Sequence, residues 1–143
     1  MGKRRVLSGW WRRIFPRRSL GRRGERAAVW YLRRRGYKIL AQGSRLKPGE
    51  LDIVALDRHR TLVFVEVKTR QSQDTGHPAE AVNLDKQRRL TRLAVTFMKR
   101  HGLLEYPARF DVIAITWPAG KWRPKIEHFI SAFEARGKGE FYS

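Results

Sequence analysis

Cysteine is absent from this chain of 143 residues. The protein therefore has no disulfide and no thiolate zinc site, which is in keeping with a reducing cytoplasm. The four histidines are scattered without metal-ligand spacing, so we assign none of them to a site. No stretch approaches the roughly 20 apolar residues of a membrane span, and Arg12 and Arg13 interrupt any signal-peptide core. We expect a cytoplasmic protein with no transmembrane segment.

Acidic residues are few, with 13 Asp and Glu against 32 Lys and Arg, which gives a formal net charge of +19. This charge is far larger than solubility requires and is typical of a protein that binds a polyanion. Nucleic acid is the leading partner, with DNA favoured over RNA. Because the acids are scarce, places where they cluster are the first candidates for a functional site.

The length allows one domain with one core. We divide the chain into a basic, Trp-containing arm at 1–19, a domain at 20–134 and a frayed tail at 135–143. Mutual repulsion of its charges predicts a flexible arm. Three interpretations of the arm stay open: it grips phosphates and stacks on bases, it lies on an anionic membrane surface, or it is a solvated tail.

Charged side chains interrupt two otherwise apolar strand candidates, residues 50–56 and 62–68. Side chains alternate across a strand, so Glu66 and Lys68 share one face. The short polar stretch between the strands predicts a hairpin. If Asp57 pairs with Thr61 there, Asp52 falls opposite Glu66, with Cβ atoms about 5 Å apart.

This register would gather acids and a base on one face of the hairpin. A slip of one residue would send Asp52 to the opposite face, so the interpretation depends on the turn. The alternative to a functional site is a solvated cross-strand ion pair between Glu50 and Lys68. The repulsion between directly opposed Asp52 and Glu66 argues against this alternative. A divalent cation bound by the two carboxylates would remove that repulsion.

Residues 20–35 predict a helix that ends before Gly36. Glu25 falls on the stripe of Ala28 and Leu32 that should face the core. From this helix alone, we interpret Glu25 as a first-turn acid that favours the helix dipole. Further along the chain, residues 37–41 predict a strand, and 43–49 and 69–77 predict loops.

A second helix is predicted from the cap Asn83 to about His101. Lys86 and Gln87 extend its apolar stripe toward the N-terminus, an end that favours phosphate. Gln87 taken alone is interpreted as an exposed first-turn residue. Three further arginines lie alongside, either as solvated surface or as contacts to a nucleic-acid backbone: Arg88, Arg89 and Arg92.

Two more strands are predicted at residues 109–116 and 125–130. Asp111 lies near the start of the first of them. We rank a bond to neighbouring backbone, or a role in holding a loop, above a metal role for this acid.

Four segments together resemble a known family: Gly24-Glu25, Gly49-Glu50-Leu51-Asp52, residues 65–70 and residues 86–90. Over residues 20–130 the chain is similar to the YraN family of uncharacterised bacterial proteins. That family resembles the restriction-endonuclease-like PD-(D/E)xK nucleases, which include Holliday-junction resolvases. The resemblance implies an α/β fold, a mixed sheet flanked by helices in the order α-β-β-β-α-β-β. The chain has Leu51 where the superfamily pattern has Pro.

The resemblance also implies roles for single residues. Asp52 and Glu66, with the helix-borne Glu25, would bind Mg²⁺ or Mn²⁺. Lys68 would orient or activate the attacking water, and Gln87 would be the polar residue of the following helix. The set expected to contact nucleic acid is Arg70, Lys86, Arg88, Arg89 and Arg92.

The implied activity is metal-dependent endonuclease cleavage of phosphodiester bonds. Two alternatives stay open. One is a non-catalytic nucleic-acid-binding module with a nuclease-like fold, and the other is a membrane-surface-associated protein held by the basic arm. Whether a homodimer cuts both strands is also left open.

Overall fold

A computed structural model describes residues 16–46, 49–71, 82–120 and 122–137, and within them the side chains of 16–20, 44–46 and 71 are left out. The elements in chain order are α1 (Pro16–Arg34), β1 (Lys38–Leu46), β2 (Gly49–Leu56), β3 (Leu62–Gln71), α2 (Leu84–Arg100), β4 (Ala108–Trp117) and β5 (Lys125–Phe133). The five strands form one sheet in sequence order. β3 and β4 are parallel and the other neighbours are antiparallel. The expected α/β class, mixed sheet and element order are confirmed.

Each helix packs on its own face of the sheet. Alternation along the strands separates the two faces, so that Val63 and Val65 pack with α1 while Leu62 and Phe64 pack with α2. The apolar stripe of α1 is fully enclosed, with Ala28 and Leu32 at 0% exposure. The protein is thus a three-layer structure with the sheet in the middle.

The β2–β3 hairpin has the predicted register. Pairing runs from Leu56 with Leu62 to Ile53 with Val65. At the turn, the Asp57 amide donates to the Thr61 carbonyl at 3.0 Å. The Asp57 carboxylate also accepts the amides of His59 and Thr61, which fixes the turn and hence the register.

Helix α1 begins at Pro16, four residues before the predicted start at residue 20. Pro is favoured in the first turn because it has no amide hydrogen to leave unpaired. Glu25 therefore lies in the third turn, and its interpretation as a first-turn acid is wrong. The end of the helix is as expected, with Gly36 at φ +87°.

The limits of helix α2 are confirmed. The Asn83 side chain accepts the Lys86 amide, and the C-cap is His101. Of the predicted loop at 43–49, residues 43–46 belong instead to β1, which pairs with the start of β2 at Gly49, and residues 47–48 lie outside the described ranges. Pairing with a neighbouring strand outweighs the local preference of Gly43 and Ser44 for a turn.

Several sequence predictions fall on residues outside the described ranges. Of the predicted loop at 69–77, residues 69–71 are the end of β3 and the rest lies outside. Of the predicted arm, residues 16–19 belong to α1 and residues 1–15 lie outside. The three-part division of the chain stays a prediction.

Asp111 is a fully buried acid with three partner residues. Its Oδ1 accepts the Ser131 amide at 2.9 Å and the Arg109 Nε–H at 3.0 Å. Its Oδ2 lies 2.8 Å from His128 Nε2. Ser131 has φ +52°, where the β4–β5 register shifts. The prediction that Asp111 bonds backbone or holds a loop is confirmed.

Candidate active site

The predicted acids meet where β2 and β3 separate. Backbone pairing of the two strands stops at Ile53 and Val65. One residue further, the side chain of Asp52 replaces the backbone as acceptor, and Val67 donates its amide to Oδ2 at 2.9 Å. Asp52 is therefore held against β3 beside Glu66, as the hairpin register predicts.

Two lysines flank the carboxylate of Glu66, whose side chain is 9% exposed. Lys86 Nζ lies 2.7 Å from Glu66 Oε1, and Lys68 Nζ lies 3.8 Å from the same oxygen. Lys68 comes from β3 itself, whereas Lys86 is in the first turn of α2, where Asn83 caps the helix. The start of α2 is thus tied to the acids of the sheet.

Lys86 was expected to contact nucleic acid, and its ion pair with Glu66 is not a contact that we predicted. The signal was its place on the apolar stripe of α2, which makes a lysine face the sheet. Glu66 is the acid that it meets there.

Glu25 reaches the cluster from α1. Burial raises its pKa first, followed by the negative charges of Glu50 and Glu66, so the three acids are electrostatic neighbours. A Cβ atom at Gly24 would overlap the Thr69 hydroxyl, so only glycine allows α1 to lie this close to β3. Gly24 therefore helps to place Glu25 near the acids of the hairpin.

The charges of the cluster shift each other's protonation. Burial and then the charge of Glu66 raise the pKa of Asp52 to about 7. Burial and then the ammonium of Lys86 lower the pKa of Lys68. Burial alone would lower the pKa of Lys86 too, but Glu66 raises it above its usual value. Such opposed shifts are concentrated at functional sites.

We expect Asp52→Asn to stabilise the fold at high pH. Because the folded-state pKa of Asp52 is raised from 3.8 to about 7, wild-type stability falls as the pH rises through this interval. Asn cannot ionise, and its side-chain oxygen still accepts the Val67 amide. The gain should be small at pH 4 and reach about 2 kcal/mol above pH 7, since one pKa unit is about 1.4 kcal/mol and the lysines offset part of the charge.

Urea unfolding of both proteins in chelator, at pH 4 and pH 8, measures this difference. Asp85→Asn is the control, because the Asp85 side chain is 87% exposed. A gain of equal size at both pH values would contradict the assignment of an unfavourable charge to Asp52.

Gln87 is half-buried, so its interpretation as an exposed residue is wrong. Its Nε2 donates to the Val82 carbonyl at 2.9 Å, and its Oε1 accepts Arg136 Nε–H at 3.2 Å. Arg136 also donates its amide to Thr91 Oγ1 at 3.0 Å. Gln87 therefore ties the segment after β5 to α2.

The remaining arginines of the predicted set differ in their surroundings. Arg70 is half-buried on β3, with Nε 3.4 Å from Thr116 Oγ1 and a terminal nitrogen 3.8 Å from Glu127. The arginines of α2 are exposed, and Arg88 pairs with Asp85 at 3.3 Å. Arg89 and Arg92 lie on the same exposed helix surface, where a phosphate backbone has access.

The carboxylates of Asp52 and Glu66 have lone pairs available for a hard cation, so these two residues are the candidate ligands. A divalent cation bound between them would remove their electrostatic repulsion. Within the part of the chain that the structure describes, no group of three His, Asp or Glu side chains is arranged to hold a metal. Both lysines contact Oε1 of Glu66, so a cation bound to this carboxylate would lie beside two ammonium groups.

Among the described residues, neither helix is long and apolar enough to cross a bilayer.

Several solved structures show weak similarity to the chain. A repair endonuclease from Pyrococcus abyssi aligns with a TM-score of 0.39 and 15% identity, over 67% of this chain and 38% of its own. A structure of an EndoMS–dsDNA complex aligns with a TM-score of 0.32 and 13% identity, over 52% of this chain and 27% of its own. The chain thus spans less than half of each of these two proteins.

The sequence comparisons give a family. A UPF0102 protein of Rhodopirellula baltica is 48% identical over 126 residues, which are 87% of this chain and 75% of that protein. A UPF0102 protein of Geobacter metallireducens is 50% identical over 117 residues, 82% of this chain and 93% of that protein. The model of "Uncharacterised protein family UPF0102" matches residues 24–115. The chain therefore belongs to this family, which is the YraN family that the sequence motifs resemble.

Proposed function

We propose that the protein is a metal-dependent endonuclease that hydrolyses phosphodiester bonds in nucleic acid. The observation that carries the proposal is the pair of strand-borne acids, Asp52 and Glu66, held together with two lysines at an end of the sheet. The raised pKa of Asp52 means that this arrangement opposes folding near neutral pH. A binding surface alone gives no reason for this unfavourable carboxylate.

Asp52 and Glu66 would hold Mg²⁺ or Mn²⁺, since both ions prefer oxygen ligands. A bound cation would polarise the phosphodiester and lower the pKa of a water ligand. Glu25 adds a third negative charge beside the pair. Its carboxylate is a further candidate ligand from the other layer of the fold.

Lys68 is the candidate for contact with the reacting atoms. Its ammonium lies 3.8 Å from Glu66, on the same strand face. From there it would orient the attacking water and stabilise the negative charge that grows on the phosphorane. Its lowered pKa brings proton exchange closer to neutral pH than for an ordinary lysine.

Binding of the polyanion is supported by the positive charge of α2 beside the acids. The N-terminal end of α2 carries partly positive amides, and its exposed arginines Arg88, Arg89 and Arg92 follow along the helix. Lys86, whose ammonium lies beside Glu66 in the first turn of α2, is a further candidate for contact with a phosphate oxygen.

A panel of labelled substrates tests the proposal: single-stranded DNA, duplex DNA, branched DNA and RNA, each with Mn²⁺, with Mg²⁺ and with chelator. We expect cleavage products of at least one substrate with metal and none with chelator. Absence of cleavage across the whole panel, from protein that binds the substrates, would overturn the endonuclease proposal.

A non-catalytic nucleic-acid-binding module is the second candidate. The ion pair of Lys86 with Glu66 favours it, because an internal ammonium already neutralises the acid. Calorimetry with Mn²⁺ separates the two. A nuclease should lose metal affinity in the Glu66→Gln variant, whereas a pure binder should show little metal binding but steep dependence of nucleic-acid affinity on salt.

A further inference from the structure

A basic pocket lies between α1 and β1, apart from the acids of the candidate active site. Its volume is about 430 Å³, within the range of roughly 300–1,000 Å³ that is usual for ligand pockets. Among the strands that the structure describes, β1 is at the edge of the sheet, with β2 as its neighbour on one side. The lining residues are Arg26, Val29, Trp30, Arg33, Arg34 and Gln42.

The lining combines fixed positive charge with one large aromatic ring. Three of the six residues are arginines, which stay charged at all relevant pH values, and none is an acid. Trp30 is 58% exposed, and the Arg34 guanidinium lies 4.9 Å from its ring centre. An anionic ligand with a flat apolar group fits this lining.

Spacing along α1 connects the pocket to the acids. Arg22, Arg26, Trp30 and Arg34 are four residues apart, so they form one stripe on the helix. All four are exposed. Arg22 and Glu25 are three residues apart on α1, so the stripe begins beside an acid of the candidate active site.

Trp30 and Glu25 lie on different sides of α1. They are five residues apart, which is about 7.5 Å along the helix axis and about 140° around it. A strand that reaches from the acids to the pocket would therefore pass around the helix.

We propose that this pocket binds an unpaired nucleotide of the nucleic-acid substrate, with the base stacked on Trp30 and the flanking phosphates on Arg26 and Arg33. The inference rests on the proposed function and names its substrate class: nucleic acid that has unpaired residues. In a duplex, the faces of the bases are covered by their neighbours, so Trp30 has nothing to stack on. In a single strand the faces are free, and stacking tolerates any base.

The chain contains a matched control for the aromatic residue. Trp122 is 80% exposed, and the Arg123 guanidinium lies 5.1 Å from its ring centre, so it repeats the Trp–Arg pair of the pocket. It lies between β4 and β5 and is not part of the pocket lining. Arg100, exposed in the last turn of α2, is the control for Arg33, which is in the last turn of α1.

The test is a binding titration in chelator, where no cleavage occurs, with full-length protein and labelled probes. The probes are a thymidine oligonucleotide of about 15 residues, a duplex of the same length, and vesicles of anionic lipid. We expect Trp30→Ala to weaken single-strand binding by about 5- to 100-fold and duplex binding by less than about 3-fold. Trp30→Phe should retain most of the single-strand affinity, and Trp122→Ala should change it by less than about 2-fold.

The salt dependence of binding tests the role of the positive charge in the pocket. Arg33→Ala should reduce the slope of log affinity against log salt for the single strand by about 0.7, and Arg100→Ala should leave it unchanged. Circular dichroism confirms that the variants fold, which we expect because the replaced side chains are exposed.

Three outcomes overturn the inference. In the first, Trp30→Ala and Trp122→Ala have the same affinity for the single strand. In the second, Trp30→Ala weakens duplex binding as much as single-strand binding. In the third, Trp30→Ala weakens binding to vesicles but not to the oligonucleotide. If the substrate panel shows cleavage but any of these results appears, the endonuclease proposal stands without the pocket. If the selective loss appears but no substrate is cut, the pocket stands and the catalytic proposal fails.

Discussion

Replacing Lys68 by Ala is expected to reduce the rate of metal-dependent cleavage by about 10³-fold. Lys68 carries the ammonium that would face the growing phosphorane charge, and removal of one such group typically lowers a rate by roughly 10²–10³-fold. Replacing Asp52 by Ala should have at least this effect, because it removes one of the two carboxylates proposed to hold the metal. In the structure, this carboxylate accepts the Val67 amide. The measurement is single-turnover cleavage of the best substrate of the panel, with saturating Mn²⁺.

Lys125→Ala is the matched control for Lys68. Lys125 is also a strand lysine 3.8 Å from a glutamate, Glu127, but its side chain is 68% exposed. The Lys125→Ala variant should cleave at the wild-type rate and bind metal with the wild-type affinity. A Lys68→Ala variant that is folded and cuts as fast as the wild type would remove Lys68 from the mechanism.

Replacing Asp111 by Ala is expected to lower the free energy of unfolding by about 3 to 5 kcal/mol, which is what removal of one partner from a buried ion pair typically costs. The variant would remove one of the two carboxylates that pair with Arg109, and would leave Asp57 at 2.7 Å as the other. Burial opposes charge on Arg109, but these two acids raise its pKa above the usual range. The variant would also leave the Ser131 amide without its 2.9 Å partner. With a typical total stability of only about 5–15 kcal/mol, this loss should be evident in urea unfolding at neutral pH.

Asp85→Ala serves as the comparison for Asp111, because Asp85 pairs with Arg88 on an exposed surface and should matter by less than about 1 kcal/mol. Asp111→Asn, which keeps an acceptor for Ser131, should lie between the two. Equal stabilities of Asp111→Ala and Asp85→Ala would show that the buried network is not needed for the fold.

The hairpin register was predictable from the sequence because two local signals agree. Alternation puts Glu66 and Lys68 on one face, and the short polar stretch after Leu56 leaves few ways to close the turn. The Asp57 side chain then caps the turn, which selects the register. Local periodicity and turn chemistry were therefore enough to bring Asp52 to Glu66.

The place of Glu25 was harder to predict, because it depends on where α1 begins. Closely spaced arginines around Pro16 suggested a repelling, flexible segment, yet α1 starts at Pro16, and its apolar stripe from Ala28 to Leu32 packs on the sheet. Packing of that stripe against Val63 and Val65 stabilises the helix, and such tertiary contacts outweigh local charge repulsion.

The contacts of Lys86 and Gln87 could not be predicted from spacing alone. Lys86 meets an acid 20 positions earlier, and Gln87 meets Arg136, 49 positions later. Neither partner lies within the reach of helical or strand periodicity. Only the packing of α2 on the sheet decides which side chains face each other.

The bond from the Val67 amide to Asp52 limits how the carboxylate can move. One of its two oxygens is tethered to the main chain of the neighbouring strand, so rotation of the side chain would leave a peptide nitrogen without an acceptor. The untethered oxygen is thus presented from a nearly rigid support. Any ligand has to adjust to this fixed point, while the longer side chains of Glu66 and Lys86 can follow the ligand.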